Sequence, residues 1–539
     1  MDLIELKRAA AAYPPPSDGP PLSYGTAGFR TSGSRLGSTV FRCGALMALR
    51  AMKLNAVTGL MITASHNPEE DNGVKLVEPL GEMLVPTWEE VATAAAQATS
   101  TDDLLTVLGD VIETEGIQRS GISKVVIAYD TRPSSVVLAE AARKGIEAMG
   151  AEVEDLGLRT TPQLHFAVRA SNLGRDSSEG AYYSELADAF RSLVASYDAP
   201  EALSQPLIVD AANGVGALKL ADMNRFLEGT GLSFDVRNSG DGVLNSGCGS
   251  DHVHTRKMLP AEMGAPDFGR RCASVDGDAD RVVFFQPDAQ TGAVSVFDGD
   301  KIACLAALLV KELVAELPSQ QEGFTIGVVQ TAYANGASTK YIRESLAVPT
   351  AIAKTGVKYV HAEAVKFDVG IYFESNGHGT VVFSPRLVAF LEQSAPTSGA
   401  AKDLLTMSKM INQAVGDAIS GLLMVECALR RKGWTMTEWD AIYSDLSSRQ
   451  LKVRVKDRSV VMTTADESQC TAPAGVQAAI DDAVGRFPGS RSFVRPSGTE
   501  DVVRVYAEAP SQKAADSLAA AVAAITFDLA GGVGDPPGP

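Results

Sequence analysis

The chain has 539 residues, 48 of them basic and 66 acidic, and its net charge of −18 argues against nucleic acid or an anionic membrane surface as partner. Hydrophobic residues make up 45%, enough to build sizeable cores, and the length points to roughly three or four domains. Six scattered cysteines with no C-x-x-C pair argue against a disulfide framework or a structural zinc site and suit a reducing compartment.

The chain opens on Met1-Asp-Leu-Ile-Glu-Leu-Lys7, with acids where a signal peptide needs an apolar stretch, and no later run has the apolar length of a membrane span. The expectation is a soluble cytoplasmic protein with no obligate protein partner. Tyr24 to Arg30 (Tyr-Gly-Thr-Ala-Gly-Phe-Arg) and Lys75 supply cations around the next feature. Gly59-Leu-Met-Ile62 reads as a buried strand running into Thr63-Ala-Ser65-His66-Asn67-Pro68, where Asn-Pro fixes a turn. Ser65 is then either an ordinary turn serine or a reacting group displayed at a strand end, where α/β proteins usually place chemistry. No G-x-S-x-G surrounds it, so a hydrolase elbow is not indicated.

Three later segments share one design of short strand, polar turn and helix: Lys124–Asp130, Leu207–Asp210 and Ile326–Gln330. The last two are followed by a repeated Ala-Asn-Gly, a hint of duplicated units. Strands alternating with helices such as the one from Asp300 onward predict α/β layers. Gly174–Gly180 and Gln393–Gly399 read as surface loops or linkers. From Gln450 apolar and basic residues alternate, marking a half-buried strand, and Val502–Glu508 reads as another, followed by a helix capped by Ser511. A small α+β domain is therefore expected from about residue 440, ending in a disordered Gly- and Pro-rich tail, Gly531–Pro539.

Three stretches can carry ligands. Asp276-Gly-Asp278-Ala-Asp280-Arg281 places carboxylates at alternate positions, where a curled loop lets one oxygen from each converge on Mg²⁺ or Ca²⁺. An EF-hand is disfavoured, since Arg281 and Pro287 stand where that loop needs Gly and Glu. Arg495-Pro496-Ser497-Gly498-Thr499-Glu500 lies between apolar strands, with Arg504 on the second; the fork, the hydroxyls and the close backbone suit a phosphate better than a plain hairpin turn does. Glu374-Ser375-Asn376-Gly377-His378 follows an apolar strand and fits sugar hydroxyls or an ordinary polar turn equally well. Lys354-Thr-Gly356-Val-Lys358 adds cations upstream.

With these loops in order along the chain, the sequence resembles the α-D-phosphohexomutase superfamily, and within it the eukaryotic phosphoacetylglucosamine mutases. The resemblance runs end to end through Gly25–Arg30, Thr63–Lys75, Asp276–Arg281, Glu374–Gly379 and Arg495–Asp501. It implies three related α/β domains with mixed sheets and a smaller C-terminal α+β domain around a central active-site cleft. The division would be 1–180, 181–298, 299–440 and 441–539. It implies that Ser65 carries a phosphoryl group and that Asp276, Asp278 and Asp280 hold one Mg²⁺ with an oxygen of that group. Glu374, Ser375, Asn376, Gly377 and His378 would orient the sugar, aided by Lys354 and Gly356. Arg495, Pro496, Ser497, Gly498, Thr499 and Arg504 would clamp the non-reacting phosphate. Arg30, His66, Lys75 and Arg281 would line the reacting centre, with Lys75 as a proton carrier. The implied reaction interconverts N-acetylglucosamine 6-phosphate and 1-phosphate through a 1,6-bisphosphate, on the way to UDP-N-acetylglucosamine.

Ser375 departs from the branch, which more often has Ala there and so touches fine recognition. Asn-Gly-His-Gly separates the branch from phosphoglucomutases, which typically carry a serine in place of the Asn. Two other readings are weaker. A haloacid-dehalogenase-like phosphatase using Asp276 wants a clear strand before it, and Cys272–Val275 is short, as well as Thr or Val at the place of Asp280. A silent sugar-phosphate-binding relative would most simply have lost Ser65, an aspartate or Arg495, and all are present.

Overall fold

Two five-stranded sheets with the same pattern of neighbours build the first half of the protein, in a computed structural model that describes residues 4–118, 121, 123–318, 323–497 and 501–535. The first contains β1 (Phe29–Ser32), β2 (Thr58–Ile62), β3 (Asp71–Val77), β4 (Lys124–Tyr129) and β5 (Glu152–Leu158), in the order β1-β3-β2-β4-β5. The second contains β6 (Leu207–Asp210), β7 (Phe234–Arg237), β8 (Cys272–Val275), β9 (Val282–Pro287) and β10 (Val294–Phe297), in the order β10-β9-β8-β6-β7. In each, the middle strand is antiparallel to one neighbour and parallel to the other: β2 to β3 and β4, β8 to β9 and β6. The functional loops leave from these equivalent strands. Ser65 lies just past β2 and Asp276 directly after β8.

One expectation needs correcting. Cys272–Val275 is a strand despite its length, with all four residues buried. It lies between β6 and β9, so both edges of its backbone are hydrogen-bonded and four residues suffice.

The chain divides into two compact units. One comprises Met1–Gly299, Asn376–Val382 and Val388–Met436; the other Asp300–Ser375, Phe383–Leu387 and Thr437–Pro539. In the first, the helix Gly37–Leu54 is buried along most of its length and shares a core with Leu60, Ile62, Val74, Val125 and Ile127 of the sheet. The helix Ala418–Lys432 is capped by Asp417, which accepts the Tyr182 hydroxyl at 3.0 and 2.9 Å.

In the second unit, β11 (Ile326–Thr331) pairs in parallel with both β12 (Thr350–Ala353) and β13 (Val369–Phe373). The strand β14 (Gly379–Phe383), which follows the Glu374 loop, belongs to the first unit up to Val382. The C-terminal part holds β15 (Ser447–Arg454), the ribbon β16 (Met462–Thr463) with β17 (Cys470–Ala472), then β18 (Arg491–Pro496) and β19 (Val502–Ala509). Its antiparallel sheet runs β15-β19-β18, and one face, with Val453, Val494, Val503 and Val505, packs on Ile480, Leu518 and Val522 of two helices. Ser511 caps the last of these helices, Gln512–Leu529, as expected.

The α/β architecture with mixed sheets and a smaller α+β ending is the one expected. The tail differs in part. Gly531 to Val533 return onto β15, through Lys456 N–H to Gly531 O (3.0 Å) and Val533 N–H to Arg454 O (2.9 Å), while residues 536–539 lie outside the described residues. Among the described residues no helix is long and apolar enough to cross a membrane, and all six cysteines are free and buried.

Candidate active site

Ser65 is fully buried and sits at φ +53°, in the left-handed region that costs a non-glycine residue about 1–2 kcal/mol. Hydrogen bonds hold it there. Its N–H donates to Thr63 Oγ1 (3.0 Å), whose hydroxyl donates to Asp130 Oδ2 (2.7 Å). The Ser65 hydroxyl donates to Asp276 Oδ2 at 2.5 Å, which joins the ends of β2 and β8.

The loop after β8 gathers Asp276, Asp278 and Asp280, all buried, with one oxygen from each within 4.8 Å of the others. Asp276 Oδ1 accepts the backbone N–H groups of Asp280 (3.1 Å) and Arg281 (3.2 Å). Asp278 Oδ2 accepts Thr161 Oγ1 (2.6 Å) and Lys75 Nζ (2.8 Å), and Lys75 also reaches Asp280 Oδ2 (2.7 Å). His378 Nδ1 lies 3.3 Å from Asp280 Oδ1, and Arg281 Nε 3.8 Å from Asp276 and 3.9 Å from Asp280. Three helix starts also donate to the loop: Val215 N–H to Gly277 O (3.2 Å), Thr161 N–H to Asp278 O (3.2 Å) and Ala418 N–H to Ala279 O (3.0 Å). Their positive ends favour negative charge in the loop. Two glycines are required by space: a Cβ on Gly277 would lie 2.7 Å from Ser65 O, and one on Gly377, at φ +87°, would lie 2.0 Å from Val282 O.

Charge here is unevenly shared. Burial, then Asp280 and Asp278, push the proton affinity of Asp276 far above the usual carboxylate range. Burial acts the same way on Asp280, but Lys75 and His378 outweigh it and hold Asp280 far below that range. Burial lowers Lys75 while Asp278 and Asp280 raise it; the net shift is upward, so it stays an ammonium. Arg281, then burial, then Arg30 drive His66 down to about 2, leaving a neutral imidazole. Asp278 Oδ1, Arg30 Nε and His66 Nδ1 are buried without a hydrogen-bond partner among the described residues. Hard oxygens, one of them unused, around a carboxylate that resists its own charge fit a hard divalent cation such as Mg²⁺.

Of the other expected residues, Lys354, Gly356, Glu374, Ser375 and those from Arg495 onward belong to the second unit. Arg495 on β18 and Arg504 on β19 are Cα partners, so their side chains share one face of the sheet. Arg495 Nη1 pairs with Glu467 Oε2 at 3.0 Å, and the same oxygen accepts Thr355 N–H at 3.0 Å. Gly356 N–H donates to Glu374 Oε1 (3.0 Å), and the Ser375 hydroxyl to Asp300 Oδ2 (3.4 Å). The Lys354 ammonium lies 5.1 Å from the Tyr359 ring. Pro496 ends β18, and buried Ser497 donates its N–H to Val502 O (2.9 Å). Gly498 and Thr499 lie outside the described residues. Asn376, Gly377 and His378 fall in the first unit, where Asn376 Oδ1 accepts His378 N–H (2.9 Å).

Arg30, Ser65, His66, Lys75, the three aspartates, Arg281 and His378 are thus brought together. Sequence reading missed Thr161, Arg132, Asn245 and Glu467. Arg132 had a signal, a charge two residues past a strand-ending aspartate; Asn245 and Glu467 had none.

Residues 174–283 and 298–434 match phosphoacetylglucosamine mutase AMG1, domains II and III. Residues 45–103 and 88–176 match the alpha/beta/alpha domain I of phosphoglucomutase/phosphomannomutase, and 451–525 its C-terminal domain. Human phosphoacetylglucosamine mutase is 47% identical over 549 residues, covering 100% of both chains. Among solved structures, Aspergillus fumigatus N-acetylphosphoglucosamine mutase in complex with GlcNAc-6P and magnesium superposes with a TM-score of 0.92 at 42% identity, over 98% of this chain and 100% of that one. A variant of that fungal enzyme in complex with glucose 1,6-bisphosphate gives 0.91 at 42% identity, over 98% and 99%. The chain belongs to the phosphoacetylglucosamine mutases, phosphosugar isomerases of the α-D-phosphohexomutase superfamily.

Proposed function

We propose that this enzyme interconverts N-acetylglucosamine 6-phosphate and N-acetylglucosamine 1-phosphate in the cytoplasm, through a phosphoserine at Ser65 and a 1,6-bisphosphate, and so serves UDP-N-acetylglucosamine synthesis. The observation that carries the reading is the 2.5 Å hydrogen bond from Ser65 Oγ to Asp276, inside a buried acid cluster at the end of a middle strand.

O6 and O1 of one sugar are too far apart for direct transfer, so the phosphoryl group goes by way of the protein. In the first step the bond from phosphorus to Ser65 Oγ breaks as one to the free sugar hydroxyl forms, and the proton that hydroxyl gives up passes to Ser65 Oγ. The bisphosphate turns over, and its other phosphoryl group is transferred to Ser65. Asp276, Asp278 and Asp280 would hold Mg²⁺, which when bound offsets charge on the transferring group. Arg30 and Arg281 add fixed positive charge, and neutral His66 offers a hydrogen bond. Lys75, held charged by Asp278 and Asp280, donates the proton that the departing sugar oxygen takes up when Ser65 is rephosphorylated, and is recharged by the proton that the Ser65 hydroxyl gives up.

Arg495 and Arg504, with Pro496, Ser497, Gly498 and Thr499, bind the phosphate that is not reacting, whichever end of the sugar carries it. Glu374, Ser375, Asn376, Gly377 and His378, with Lys354 and Gly356, orient the sugar. We assign these tasks to four segments: 1–180 for the phosphoserine, 181–298 for the metal, 299–440 for the sugar and 441–539 for the phosphate.

The test is intact-protein mass before and after substrate, for the wild type and Ser65→Ala. One phosphoryl group on the wild type, lost with Ser65 along with mutase activity, is the expected result. An unmodified wild type, or an active alanine variant, overturns the reading.

A further inference from the structure

Ser65 keeps an unfavourable backbone conformation, and two side chains far away in sequence account for it. Arg132 is buried, and its five guanidinium N–H groups find five acceptors. Nε donates to Asp130 Oδ2 (3.1 Å), Nη1 to the carbonyls of Pro68 (2.5 Å) and Asp71 (3.0 Å), and Nη2 to those of Ser65 (2.9 Å) and Asn67 (3.0 Å). From the second sheet's loops, Asn245 Nδ2 donates to the same two carbonyls, Ser65 O and Asn67 O, both at 2.9 Å. Each carbonyl thus has both lone pairs occupied, and Gly277 closes over Ser65 O. Among the described residues neither side chain hydrogen-bonds the Ser65 hydroxyl or Asp276, Asp278 and Asp280; Asn245 Nδ2 donates to backbone carbonyls, and Arg132 to backbone carbonyls and to Asp130.

We propose that Arg132 and Asn245 are positioning residues for group transfer at Ser65. They grip the loop by its carbonyls and fix the serine in the left-handed conformation that directs Oγ at Asp276. The inference rests on the reading of Ser65 as the phosphoryl carrier. Phosphoryl transfer depends chiefly on alignment of the attacking and leaving oxygens, and a displacement of about 1 Å can lower the rate by about a hundredfold. Lysine cannot replace Arg132, since three donors on a point charge cannot meet five acceptors in a fan.

The experiment compares wild type with Asn245→Ala, Arg132→Lys and Arg132→Ala. It follows melting temperature, kcat and KM, and Ser65 phosphate by intact mass after incubation with glucose 1,6-bisphosphate. Folded Asn245→Ala is expected to lose about 10- to 100-fold in kcat with KM within about twofold, because substrate binding is left intact. Arg132→Lys should lose at least as much. A folded Asn245→Ala with unchanged kcat, or with KM raised and kcat kept, overturns the proposal, as does a fully active Arg132→Lys. Asn245→Ala decides the matter even where Arg132→Ala does not fold. A wild type that never carries phosphate on Ser65 marks failure of the phosphoserine reading instead, and the kcat comparison still reports on the loop.

Discussion

The two units each crowd like charges together, but of opposite sign and with opposite support. In the first, three carboxylates lie within 4.8 Å of one another, backed by Lys75, His378 and three helix starts. In the second, Arg495 and Arg504 stand opposite each other on neighbouring strands, with Glu467 on Arg495. The Nε atoms of both arginines are buried without a hydrogen-bond partner among the described residues. Like charges so placed repel, and a fold keeps them where a ligand of the other sign relieves them. On the proposed function, this difference in support separates the tasks. The acid loop is held at its carbonyls and carboxylates before anything binds, as a reacting centre needs; the arginine pair keeps donors in reserve, as a binding edge needs.

The largest effect that would break this comparison is at Asp276. Asp276→Asn keeps the shape but removes the charge that resists burial most. We expect kcat to fall by at least about a thousandfold, about 4 kcal/mol, in a coupled mutase assay. Without metal the variant should nonetheless melt higher than wild type near neutral pH. The sign follows from linkage: folding raises the proton affinity of Asp276, so its contribution to stability is full below the unfolded carboxylate range and is lost as pH rises. Added Mg²⁺ should then stabilise wild type more than the variant. A variant that melts lower in EDTA would show that repulsion is not what the acid cluster stores. A smaller effect is expected in the second unit, where Arg504→Gln should raise KM for the sugar phosphate about 10- to 100-fold with little change in kcat, the size of a lost charge-assisted hydrogen bond. Steady-state kinetics check it, and a fall in kcat at constant KM would move Arg504 to the reacting centre.

The residues proposed to do chemistry were legible because the chain writes them as short contiguous runs. Ser65, the aspartate triplet and Arg495 each carry their meaning within eight residues. Their partners were not, because the fold supplies them from far away: Asn245 meets the Ser65 carbonyl across 180 positions, and Thr161 meets Asp278 across 117. Local signals also misled twice. Four residues looked too few for a strand at Cys272–Val275, yet two neighbours supply both of its ladders. Glycine and proline suggested disorder from Gly531, yet the backbone there closes onto the end of β15. Composition reports what a segment prefers in isolation, and tertiary pairing decides whether that preference matters.

Asp417 supplies the smallest effect and a control for Asp276, since it is a buried carboxylate in the same unit with, among the described residues, no carboxylate in its hydrogen-bond shell. It accepts the Tyr182 hydroxyl and the Ser420 N–H (3.1 Å), and Asn412 Nδ2 lies at 3.4 Å, but burial prevails and lifts its pKa to about 6. An unfolded aspartate titrates near 3.9, so its contribution is full below about pH 4 and is lost as pH rises through about 6. Asp417→Asn keeps a good helix cap and removes the titration. Relative to wild type it should show no gain near pH 4 and a gain that grows up to about pH 6, then levels at no more than about 3 kcal/mol. Melting curves across that range test it, and a constant difference between the two proteins would rule out the titration. Mg²⁺ should leave this difference unchanged while altering the one at Asp276, because one carboxylate is strained by burial alone and the other by neighbours that a cation would screen.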